Sequence, residues 1–181
     1  MLNDAQAAAW GEYSHGAGMG RDMVFLTVST GVGGGIISGG RLLAGRSGMA
    51  GHVGLLRPLP EGEGLMEDGA SGRFIARAAG QPDARAAFAA GDTAAAEAIA
   101  TSARRVGQLC RNLQLLVDPE VIVIGGGVGL APGYLAQVEG HLAQLEPLYR
   151  PTLARAALGA EAGVIGIAAL AQQEAQQRGL Q

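Results

Sequence analysis

One cysteine, Cys110, stands in the 181 residues, so no disulfide can form within the chain. That fits a reducing cytoplasm and predicts a buried, inert thiol. Aromatic residues make up only 4%, so the core has to be aliphatic, built from Ala, Val, Leu and Ile. Charge is sparse as well: 16% of residues are charged and the formal net charge is −3. No basic stripe is available to neutralise phosphates, which argues against a nucleic-acid surface. No apolar run approaches the ~20 residues of a membrane span. Residues 1–20 carry Asp4, Glu12 and His15 where a signal peptide needs an apolar core. What the chain has in excess is glycine: 31 residues, with no collagen period and clustered at turns.

The richest cluster is Thr27-Val28-Ser29-Thr30-Gly31-Val32-Gly33-Gly34-Gly35-Ile36-Ile37. An apolar run from Met23 enters it and a β-branched pair leaves it. This predicts strand, tight glycine turn and strand, with the hairpin tip at Gly31 to Gly34. Such a turn is either an ordinary hairpin or a cradle whose exposed N–H groups meet phosphate, and spacing alone leaves both open. Ahead of it, Asn3 or Asp4 can cap a helix from Ala5 to about Tyr13. After it, Arg41 to Leu43 reads as a short strand and residues 44–69 as a long Gly/Pro-rich loop, the kind that is usually functional. Ser71 opens a helix through Ala79, a second helical pattern covers Asp83 to Ala89, and Asp92 or Thr93 opens a long one to about Leu116. That long helix carries Ala96, Ile99, Ala100, Ala103, Val106, Leu109, Cys110 and Leu113 at helical spacing.

Asp118-Pro119 stops it, and Val121 to Ile124 is too short and apolar to be anything but a buried strand. Gly125-Gly126-Gly127-Val128-Gly129 follows at once, then a helix from Tyr134 to Leu145. Strand, glycine cluster and helix can form an anion or nucleotide site. Residues 151–158 offer an edge strand, and Gly163 to Ala175 a last helix rich in small residues. The element order predicts an α/β fold with a mixed sheet and flanking helices.

Six motifs occur in order: Asn3-Asp4-Ala5, Ser29 to Gly35, Ala50-Gly51-His52-Val53-Gly54, Gly64-Leu65-Met66-Glu67, Gly125-Gly126-Gly127 and Gly163-Val164-Ile165-Gly166. This series resembles the ROK family of sugar kinases and repressors over residues 2–175, and within it the branch acting on N-acetylmannosamine. The resemblance implies an actin-like ATPase (ribonuclease H-like) fold of two lobes around a cleft. All of residues 1–181 then correspond to the C-terminal lobe, without the N-terminal lobe and its Asp-x-Gly-x-Thr phosphate loop. It implies ATP and Mg²⁺ as phosphoryl donor, an amino sugar phosphorylated at its 6-hydroxyl, a homodimer and a place in cytoplasmic sialic acid catabolism.

It also implies roles. Asp4 would be the catalytic base, since the attacking hydroxyl must lose a proton. Asn3 would hydrogen-bond a sugar hydroxyl, His52 would reach the sugar or its N-acetyl group, and Glu67 would accept two hydroxyl protons. Thr30, Gly31, Gly33 and Gly34 would approach the ATP phosphates, with Gly126 and Gly127 facing the nucleotide. Two departures stand out. Leu55 occupies a position where most members carry a zinc-binding His, and the Cys-rich zinc cluster that should follow is missing. Tetrahedral zinc needs about four N or S ligands, so no zinc is expected, and Leu56, Leu59 and Leu65 would hold the loop by apolar packing. Other readings are a non-catalytic sugar-binding or dimerisation module, and a kinase for another hexose such as N-acetylglucosamine or glucose. A dinucleotide binder fits poorly, because Gly31, Gly33 and Gly34 lead into a second strand and not into a helix.

Overall fold

The computed structural model describes residues 3–57 and 64–179. Five strands form one sheet in the order β3-β2-β1-β4-β5: β1 (Met23–Val28), β2 (Val32–Ser38), β3 (Arg41–Leu42), β4 (Val121–Gly125) and β5 (Leu153–Arg155). The first three form antiparallel pairs, whereas β4 runs parallel to β1 and β5 parallel to β4. The sheet is therefore mixed. The apolar runs in β1 and β4 are explained by burial on both faces. Val24, Leu26, Ile122 and Ile124 point into one core, Met23, Phe25, Val121 and Val123 into a second.

On the first face lie α2 (Met66–Ala70), α3 (Gly72–Ala78), α4 (Ala84–Ala90), the long α5 (Thr93–Val117), a single turn α6 (Gly126–Gly129) and α7 (Tyr134–Leu142). On the second lie α1 (Asp4–His15) and α8 (Ala162–Gly179). Capping sets where several helices start. Ser71, Asp83 and Asp92 each accept the N–H three residues on. For α1 the cap is Asn3: its Oδ1 accepts from the Gln6 N–H at 2.7 Å, and Gln6 Oε1 accepts from the Asn3 N–H at 3.2 Å. That reciprocal capping box leaves Asp4 in the first turn, with its carboxylate exposed.

Several expectations need correction. The hairpin tip is Ser29 to Gly31, because Val28 already pairs with Val32; Gly33 and Gly34 lie inside β2. Glu67 sits in the first turn of α2, where a loop is expected. On α5 the buried face runs through Ala95 and Ala98, while Ala96 and Ala100 are exposed. With alanine at 94, 95, 96, 98 and 100, hydropathy could not choose the face; packing against α2, α3 and α4 did. Helix α7 is shorter than expected and α8 longer. Leu56 is 48% exposed and so holds little by packing; Leu59 lies outside the described residues.

The second face depends on small residues. A Cβ added at Gly35 would lie 2.6 Å from the Ala9 Cβ, and one at Gly33 3.1 Å from the Ala5 Cβ. Where α1 crosses α8, a Cβ at Gly166 would lie 1.8 Å from the Ala7 carbonyl oxygen. At Gly166 backbone meets backbone, and at Gly35 the sheet meets the alanine face of α1, approaches that a side chain would obstruct. Among the described residues no helix is long and apolar enough to cross a membrane.

Candidate functional site

The carboxyl ends of the adjacent parallel strands β1 and β4 open into a cleft. In open α/β sheets this is where ligands bind, at the point where the chain leaves neighbouring strands in opposite directions. Two cavities of about 710 and 580 Å³ lie there and share Ser29, Gly127 and Leu130. The larger runs toward α3, α4 and α7 and is lined by Thr30, Arg73, Arg85, Phe88 and Pro132. The smaller lies between α1 and α8 and is lined by Asp4, Thr27, Gly126, Gly163, Val164 and Ile167.

The turn after β1 is held from behind. The Ser29 N–H donates to the Gly31 carbonyl at 2.9 Å, and the Gly72 and Arg73 N–H groups at the start of α3 donate to the Ser29 and Thr30 carbonyls at 2.6 and 3.4 Å. These carbonyls satisfy N–H groups that a helix start leaves without partners. Gly31 leaves space for Glu67: a Cβ there would lie 2.9 Å from Glu67 Oε2 and would push that carboxylate aside. Glu67 in turn lies 3.6 Å from Arg73 on α3. Gly126, in the turn after β4, has φ +82°, and a Cβ would lie 2.4 Å from the Val28 carbonyl. Gly127 is exposed on the cleft floor.

The structure thus groups the expected site residues in part. Asn3, Asp4 and His52 come together at the start of α1, with Asn3 Nδ2 3.0 Å from His52 Nε2. Glu67 and Gly31 form a second contact, and Thr30, Gly126 and Gly127 line the cavities. Gly33 and Gly34 line neither: Gly34 is buried, and a Cβ there would lie 2.8 and 3.2 Å from the Phe25 and Gly51 carbonyl oxygens. Their missing side chains serve packing. His52 also differs from expectation, since Nδ1 meets the Met49 carbonyl at 3.0 Å and Nε2 meets Asn3, so no ring nitrogen is left over.

Three supporting groups gave no sequence signal. Glu12 is fully buried; Oε2 accepts from the Ala17 and Ala157 N–H groups at 2.8 and 3.1 Å, and Oε1 from Leu158 at 2.8 Å. It ties the end of α1 to the segment whose Gly159, Ala160 and Gly163 wall the smaller cavity. Gln6, 1% exposed, donates to the Gly48 and Ala50 carbonyls and fixes the loop that carries His52. Ser102 donates to the Ala70 carbonyl at 2.6 Å, so the Tyr134 hydroxyl donates to Ser102 at 2.7 Å, and α5 and α7 together pin the end of α2. Burial, only partly offset by the bond to Ser102, pushes the Tyr134 hydroxyl well above its ordinary value.

A mixed sheet with flanking helices and a cleft at its β1–β4 switch point is the actin-like ATPase fold as ROK sugar kinases carry it. Comparison with known proteins agrees. The family model described as ROK family matches residues 1–174, and the chain belongs to the ROK family. It is 48% identical to the N-acetylmannosamine kinase of Citrobacter koseri, over 94% of this chain and 64% of that protein. It is also 48% identical to the bifunctional enzyme NanE/NanK of Brucella melitensis, over 94% of this chain and 35% of that protein. Among solved structures, the ROK hexokinase of Thermus thermophilus superposes with a TM-score of 0.83 at 40% identity, over 97% of this chain and 65% of that one. The chain therefore spans about a third to two thirds of the length of the curated relatives it matches.

Proposed function

We propose that this chain is the C-terminal lobe of a kinase that transfers the γ-phosphoryl group of ATP to the 6-hydroxyl of N-acetylmannosamine. The observation that carries the reading is the 48% identity to an N-acetylmannosamine kinase over nearly the whole chain. The cleft geometry supports it. Asp4 is exposed in the cavity that adjoins the glycine turns, where a carboxylate can take the proton of an attacking hydroxyl. Asn3 and Glu67 offer hydrogen-bonding groups for the sugar, and Thr30, Gly31, Gly126 and Gly127 border the space for the nucleotide. ATP enters with Mg²⁺ as substrate. No zinc belongs to this reading, because Leu55 supplies no ligand and His52 Nε2 lies 3.0 Å from Asn3 Nδ2.

The smaller cavity has Val164 and Ile167 on its rim, 69% and 59% exposed. We assign that face to the N-terminal lobe, which would bring the second set of phosphate contacts. A homodimer, a cytoplasmic location and a role in sialic acid catabolism complete the proposal.

The test is phosphorylation of N-acetylmannosamine with ATP and Mg²⁺, with N-acetylglucosamine and glucose run in parallel. The chain alone should be nearly inactive, because phosphoryl transfer needs the donor positioned from both sides. Joined to the N-terminal lobe of the Citrobacter koseri enzyme it should turn over N-acetylmannosamine fastest. Robust turnover by the chain alone would overturn the two-lobe reading. In the joined protein Asp4→Ala should lower kcat by about 10²-fold or more, and unchanged turnover would reject Asp4 as the base.

A further inference from the structure

His52 sits in the loop after β3, and two contacts decide the state of its ring. Nδ1 lies 3.0 Å from the Met49 carbonyl oxygen. A carbonyl only accepts, so Nδ1 carries a proton. Nε2 lies 3.0 Å from Asn3 Nδ2. The Asn3 amide cannot be turned round, because its Oδ1 is already held by the Gln6 N–H at 2.7 Å, the bond that caps α1. An amide nitrogen only donates, so Nε2 has to present its lone pair. The two requirements are independent, and they name the same species: a neutral imidazole protonated on Nδ1. A ring protonated at both nitrogens would set two donors against each other across the Asn3 contact.

The frame around this pair is rigid. Gln6 uses its backbone N–H for the Asn3 cap and its side-chain amide for the Gly48 and Ala50 carbonyls, so one residue fixes both ends of the contact. We infer that His52 is a positioning residue that acts through Asn3: it orients the Asn3 amide beside Asp4 and offers a ligand no hydrogen bond of its own. Asn3 keeps one N–H to donate, so a ligand oxygen that can accept, a hydroxyl or a carbonyl, is what this corner recognises. The identity of that ligand as a sugar rests on the kinase reading; the ring state does not.

The test is a long-range ¹H–¹⁵N spectrum of the chain in mildly alkaline buffer, where imidazole is neutral. Loss of one set of signals in His52→Gln assigns the ring. The expected pattern has the proton on Nδ1 alone. Asn3→Asp preserves the cap, since Asp and Asn cap equally well, but replaces the donor with a carboxylate; Nε2 should then gain a proton and the Nδ1-only pattern should vanish. Titration with N-acetylmannosamine should leave the wild-type ring pattern in place while shifting the Asn3 side-chain amide. A proton on Nε2 in the wild type, a pattern indifferent to Asn3→Asp, or a ring that changes tautomer on adding sugar would each overturn the inference. If the sugar moves no signal even in the protein joined to an N-terminal lobe, the kinase reading fails, and the ligand-free spectra still decide the role of His52.

Discussion

The two faces of the sheet are covered in different ways. Below α3 and α5, Val24, Leu26, Ile122 and Ile124 meet Ile75, Ile99, Val106 and Leu109 in a single aliphatic core. Below α1, the β2 positions are Gly33 and Gly35, and α1 meets α8 through Ala7, Gly11 and Gly166. The first face is held by buried side-chain volume; the second adds to its smaller core of Trp10, Phe25, Val121 and Val123 a close approach of helix to sheet and helix to helix at glycines. The functional residues follow this division. Asn3 and Asp4 ride on α1, so their position depends on how deeply that helix sinks onto the glycines of β2. Glu67 rides on α2 and depends on the aliphatic side and on the Tyr134–Ser102–Ala70 chain of hydrogen bonds.

Substitutions on the two faces should therefore fail differently. The largest effect is expected from Ile75→Ala on α3. Ile75 is fully buried, and removing it should cost about 2–5 kcal/mol through lost transfer energy and a residual cavity. Chemical denaturation should show the loss with the Asn3–His52 spectrum unchanged; movement of those signals would mean that the faces are not independent. Gly166→Ala should cost less in stability and more in geometry. The added methyl has to displace the Ala7 backbone, an overpacking of about 1–3 kcal/mol, while alanine returns up to about 1 kcal/mol of helix propensity. A net loss near 1 kcal/mol with a clear shift of the Asn3 and His52 signals is expected; full stability with an unmoved spectrum would refute the backbone-contact picture.

The smallest effect at neutral pH concerns Cys110, within the aliphatic core. Burial pushes its thiol from 9.0 up to about 12. The folded state then keeps a proton that the unfolded chain releases, so stability is intact below pH 9.0 and falls as pH rises from there toward about 12. Denaturation curves in that window should flatten for Cys110→Ala relative to wild type. Equal pH slopes would show that the thiol is not shielded as the packing requires.

Much of this fold could be read from the sequence because its signals are local. Ser71, Asp83 and Asp92 bond to N–H groups three residues away, so each helix start announces itself in a four-residue window. Strands β1 and β4 show as apolar runs because both their faces are buried. The hairpin tip is not legible in the sequence because a run of glycines has no side chains to alternate, and only the Val28–Val32 pair sets the register. The buried face of α5 was blurred in its alanine-rich first half for a related reason. Glu12 gives no local signal because its partners Ala157 and Leu158 lie 145 and 146 residues away.

By itself, then, the sequence determined the order of elements, the helix starts, the aliphatic nature of the core and the ROK family series of motifs. These are matters of neighbouring residues and of composition. Tertiary structure decided which glycine does what: Gly31 makes room for Glu67, Gly126 turns the chain at a positive φ, and Gly33 to Gly35 let a helix and a loop lie close on the sheet. It also decided that His52 faces Asn3, 49 residues away. The reason is physical: a missing Cβ or a ring lone pair acquires meaning only from the atom brought against it, and those atoms come from distant parts of the chain.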